Sequence, residues 1–162
     1  MRTLLVAAAA AMVVTSAHAA QLRTAKPGPR ARTAVTLNRA LAGTPMAHTG
    51  YQLERVGWRY RISPYFIAAI AATESSLGRA ACRSNRYNAW GLASCGTSWR
   101  VPDFGSWAEA YMFMGRFLTG RWPHARTPYD YHGYAACTPC WGRKTAYWMG
   151  RLFGVGPSVR YP

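Results

Sequence analysis

A chain of 162 residues that is 50% hydrophobic and 14% aromatic is neither a disordered tail nor a multidomain assembly; it has the material for one core. Twenty Lys and Arg against five Asp and Glu give a formal charge of +15, which favours polyanionic partners. The basic residues are nearly all Arg and are scattered, so charge alone selects no particular partner.

The opening "MRTLLVAAAAAMVVTSAHAAQ" combines Arg2, an apolar run from Leu4 to Val14 and the small-x-small triplet Ala17-His18-Ala19. It reads as a secretory signal peptide over residues 1–20, placing the protein outside the cell or in the periplasm. The apolar run is well short of the roughly 20 residues that a bilayer demands. Loss of Arg2 with the leader takes the charge to +14. For an exported chain the polyanions on offer are wall polymers and anionic headgroups, with nucleic acid as an alternative that no motif makes specific.

Residues 21–48 carry Pro, Gly, Arg and Thr without a sustained apolar period, which predicts a basic flexible arm ahead of a domain spanning 49–162. In that domain Leu53, Val56 and Tyr60 recur at helical spacing, giving a first short helix that ends at "RIS". Ser63 then caps a second helix with Pro64 at its first position, where the missing N–H would go unbonded anyway. This helix is expected to run to Leu77, with Gly78 in the left-handed turn. Residues 79–105 lack helical period and predict an irregular lobe with room for a short hairpin.

Ser106 and Glu109 form a capping-box pattern, followed by an apolar face of Trp107, Ala110, Tyr111, Met114, Phe117 and Leu118, with Gly120 ending the helix. Trp141, Thr145, Trp148, Met149 and Leu152 predict a last helix closed by Gly154. The fold class is therefore mainly α. Cys82, Cys95, Cys137 and Cys140 argue for two disulfides in an oxidising compartment, with local pairing of Cys82 to Cys95 and Cys137 to Cys140 favoured among three connectivities. The 82-to-95 spacing leaves one close pair where a four-cysteine zinc site wants two. "CTPC" has no βαβ context for redox work. His48, His124 and His132 form no H-E-x-x-H pattern and no Gly-x-Ser-x-Gly elbow occurs, so neither a metal, a cofactor nor a serine triad is expected.

One acid stands out. At about 100° per residue, Glu74 shares the sector of Ile67, Ile70 and Ala71 on the second helix, so its carboxyl is expected to be turned inward and partly desolvated. Burial and the negative helix end both raise a carboxyl's pKa, which suits a general acid acting on a glycosidic oxygen. A surface glutamate, or one neutralised by Arg79, is the structural alternative.

"ISPYFIAAIAATESSLG" resembles the catalytic helix of lysozyme-like peptidoglycan-cleaving domains, which carries an E-S-S-x-G or E-S-x-G signature. "NRYNAWGLASC" is similar to the N-N-x-F-G-[IL] segment of glucosaminidase domains in autolysins, and "VPDFGSWAEAYMFM" to their F-x-S-W-x-E-A helix start. The three segments follow the family's order over roughly a third of the chain. The resemblance implies a small lysozyme-like helical domain with an irregular or short β lobe. It makes Glu74 the general acid and Ser75 its orienting partner, and it places Asn88, Trp90, Gly91 and Tyr134 along a sugar cleft, where Trp99 is a further aromatic candidate.

One departure narrows the chemistry: residues 75–102 contain no Asp or Glu, whereas an ordinary inverting or retaining hydrolase needs two carboxylates. With Glu109 assigned to its cap and Glu54 to an exposed helix face, Asp103 and Asp130 are the remaining candidates. Lytic transglycosylases, which this helix also resembles, use one Glu to protonate the leaving group and then to activate the muramic acid 6-hydroxyl. The expectation is an exported, monomeric, cofactor-free lytic transglycosylase acting on peptidoglycan glycan strands between N-acetylmuramic acid and N-acetylglucosamine. The alternatives are a hydrolase of N-acetylglucosaminidase or muramidase type, and a non-catalytic basic protein binding peptidoglycan and anionic wall polymers.

Overall fold

The computed structural model describes residues 28–93 and 101–161. The expected signal peptide, Cys95 and Trp99 lie outside them. The described chain is mainly helical: α1 Pro29–Leu41, α2 Gly50–Tyr60, α3 Pro64–Ser75, α4 Trp107–Arg121 and α5 Thr138–Phe153, with 3-10 turns at Arg83–Asn85 and Pro128–Asp130. No strand forms among the described residues; an isolated antiparallel bridge joins Ile62 to Arg160 near the C-terminus.

α3 is the axis of the fold, lying against α5 and α2, while α1 and α4 pack on α2. Its start follows from local chemistry: the Ser63 hydroxyl accepts the Phe66 N–H and Pro64 opens the first turn. Its central position follows from composition, since Phe66 and Ile67 through Ala71 are wholly buried and the alanines let neighbouring helices come close. The helix stops at Ser75, two residues before the expected end. Ser76, Leu77 and Gly78 take left-handed backbone in succession (φ 52°, 62° and 87°), and this reversal carries the Leu77 side chain inward. Where α4 crosses α2, a Cβ at Gly115 would collide with the Tyr60 ring, so the close approach depends on glycine.

The flexible arm expected for residues 21–48 is corrected over its described part. Residues 29–41 form α1, and Ala34, Leu37 and Leu41 are fully buried together with Met46. The domain therefore begins well before residue 49. Glu54 also changes character: it is 4% exposed, its two oxygens accept from Arg30 Nε (2.6 Å) and Nη2 (3.0 Å), and Oε1 accepts from the Tyr161 hydroxyl (2.8 Å). Burial pushes this carboxyl up, but the Arg30 and Tyr161 hydrogen bonds and the Arg30 charge outweigh that and leave it below the usual range. Of the two disulfides expected, Cys137–Cys140 is seen among the described residues. Cys82 is also disulfide-bonded, and Cys95, its expected partner, falls outside them.

Candidate active site

Because α3 is buried on every side, it has no single inward sector that could hold a carboxylate. Glu74 instead emerges where the packing opens, at the C-terminal end of the helix, and is exposed, which corrects the expected desolvated setting. It stands in a cleft of about 310 Å³ lined by Trp90, Gly91, Leu92, Ala93, Phe117, Arg121, Trp122, Gly133, Tyr134 and Ala135. α3, α4 and the two irregular segments around residues 90 and 133 thus meet at one acid.

The carboxyl is held on one side. Trp141 Nε1, in the first turn of α5, donates to Glu74 Oε1 at 2.7 Å, while Oε2 lies beside Gly91, where an added Cβ would come within 3.0 Å of it. Gly91 itself has φ +65°, a backbone state open to glycine at little cost. The ring of Tyr134 packs on that of Trp141, centroids 4.6 Å apart, and its hydroxyl donates to the Trp90 carbonyl at 2.9 Å. Burial, and then the negative charge of Glu74, push the Tyr134 phenol well above its ordinary range, so it remains a donor.

The expected residues divide. Gly91 and Tyr134 line the cleft with Glu74. Ser75 does not orient Glu74: its buried hydroxyl is directed at the Ala89 carbonyl (2.7 Å) and accepts the Gly78 N–H (2.9 Å), stapling the helix end to the next loop. Asn88 is also buried and closes that loop, donating from Nδ2 to the Leu92 carbonyl at 2.6 Å. Trp90 is not a sugar platform, because its indole is completely buried and donates to the Ile67 carbonyl at 3.0 Å. Its side chain serves the core, and its backbone borders the cleft.

The other acids are engaged elsewhere. Asp130 accepts the N–H groups of Arg126 and Thr127, both at 2.8 Å, which hold it below the usual carboxylate range. Glu109 accepts the Gly105 N–H, one residue before the Ser106 cap. Asp103 is exposed and is not among the residues lining the cleft. Among the described residues no group of three His, Cys, Asp or Glu is assembled that would hold a metal.

Apolar spacing places Trp141 in the core of the last helix rather than against Glu74, and it gives no signal that Arg121 and Trp122 border the cleft. A signal existed for Trp141 in its position directly after "CTPC": Cys137 caps α5, with its sulfur accepting the Cys140 N–H, so the staple fixes the turn that carries the indole. No protein-family model, curated protein or solved structure matches the chain.

Proposed function

We propose that this protein cleaves peptidoglycan glycan strands with Glu74 as its one acid–base group, in the manner of a lytic transglycosylase. The observation that carries the reading is a lone carboxylate among the described cleft residues, with one oxygen held by Trp141 and the other beside glycine backbone. A sugar seated against Tyr134 and Trp122 covers the exposed carboxyl and excludes water from it. Oε2 then donates its proton to the glycosidic oxygen, the bond to the muramic acid anomeric carbon breaks, and the same oxygen removes the proton of the 6-hydroxyl as that hydroxyl closes on the anomeric carbon. The product is a 1,6-anhydro end, without a second carboxylate and without water.

Mass spectrometry of digested peptidoglycan tests both the activity and its type. A 1,6-anhydromuramic end is expected; a free reducing end would assign the same site to a hydrolase assisted by the substrate's acetamido group. Glu74→Gln should keep the fold and reduce turnover on the order of 10² to 10⁴. Turnover near that of the unaltered protein would remove Glu74 from the reaction.

A further inference from the structure

A second concave site lies away from the Glu74 cleft, between the outer face of α2 and the start of α4. It encloses about 260 Å³ and is lined by Arg30, Arg55, Val56, Trp58, Arg59 and Met112 among others. Arg55 and Arg59 are exposed and stand one turn apart on α2, about 6 Å along the axis. Like charges at this spacing destabilise an isolated helix. Neither makes an ion pair among the described residues, where the one salt bridge is that of Arg30 with Glu54. The Arg30 guanidinium lies 4.7 Å from the centre of the Trp58 ring, and Trp58 is 48% exposed.

We propose that this groove binds a linear phosphodiester polymer of polyol units, the phosphates lying on Arg55 and Arg59 and the polyol against the half-exposed Trp58. Arg30 is already paired with Glu54, so Arg55 and Arg59 supply the charge complementarity in a groove whose lining residues include no acid, and Arg suits bidentate phosphate recognition. Single-stranded nucleic acid fits less well, because successive bases need successive aromatic platforms and Trp58 is the one aromatic residue lining the groove. The groove shares no lining residue with the cleft, so the polymer can be held while Glu74 works on another chain. Its occupant as a wall polymer rests on the proposed function; its phosphate chemistry does not.

The test is calorimetric titration of the full chain with deacylated poly(glycerol phosphate) at several salt concentrations. Arg55→Gln/Arg59→Gln should weaken binding at least about tenfold and flatten the slope of log K against log salt by about two, one for each lost contact. The exposed pair Arg143→Gln/Lys144→Gln on α5, with the same loss of charge, should change both much less. Equal effects of the two double variants would reduce the site to overall charge and overturn the proposal. So would binding to phosphatidylglycerol vesicles or to oligo-dT with none to the soluble polymer. Cleavage of short glycan fragments should be unchanged in Arg55→Gln/Arg59→Gln, so failure here and failure of the Glu74 reading are separate results.

Discussion

The two oxygens of the Glu74 carboxyl are not equivalent. Oε1 is committed to the Trp141 indole, while Oε2 faces Gly91 and carries the reacting proton in the proposed reaction. Trp141 is 5% exposed, so its N–H has little water to turn to, and a buried donor left without its partner costs about 1 to 3 kcal/mol. Trp141→Phe keeps an aromatic ring against Tyr134 and removes that donor. The expected result is a fall in kcat of about 10- to 100-fold with KM within a few-fold, because orientation rather than sugar binding is lost. A lower unfolding midpoint with kcat unchanged would show that the indole only packs. None of this was legible from the spacing of apolar residues, which marks Trp141 as helix interior and says nothing of where its one polar atom points.

At the scale of the elements, α3 and α4 are legible from a local start signal, Ser63-Pro64 and Ser106 with Glu109, and α2 and α5 from a recurring apolar set, Leu53 to Tyr60 and Trp141 to Leu152. α1 is harder to see, although Ala34, Leu37 and Leu41 stand at i, i+3 and i+7 and Pro29 occupies the first position. The basic and threonine residues of its other sides dilute the period, so the segment has the composition of a linker and the spacing of a helix. The correction has a measurable consequence. Leu37 is wholly buried, so Leu37→Ala should destabilise the protein by about 2 to 5 kcal/mol in urea unfolding, as a core truncation does. Arg39→Ala, on the exposed side of the same helix, should stay within about 0.5 kcal/mol. Equal, negligible effects of both would return this segment to the status of an arm.

For the molecule as a whole, five acids against twenty bases leave each carboxylate a distinct place. Glu109 and Asp130 satisfy backbone N–H groups, Asp103 is exposed, Glu74 stands in the cleft, and Glu54 joins Arg30 at the start of α1 to Tyr161 near the C-terminus. The sequence could not show this last contact, because the spacing of α2 gives the face on which Glu54 lies but not that segments 24 residues before it and 107 after it converge there. Its consequence is a pH dependence with a definite sign. Glu54 has its folded pKa held below the ordinary 4.5, so the folded state binds fewer protons than the unfolded state in that range, and the stability it confers is present above pH 4.5. That stability is lost as pH falls through the folded pKa, when the carboxyl protonates and its charge on Arg30 disappears. Asp130 is lowered as well and contributes in the same direction. Glu54→Gln should therefore be less stable than the unaltered protein at neutral pH, and the gap between their urea midpoints should narrow as pH is taken well below 4.5, while the Asp130 contribution falls equally in both. A gap that stayed constant from neutral pH into acid would mean that the Arg30–Glu54–Tyr161 closure acts through shape and packing, not through charge.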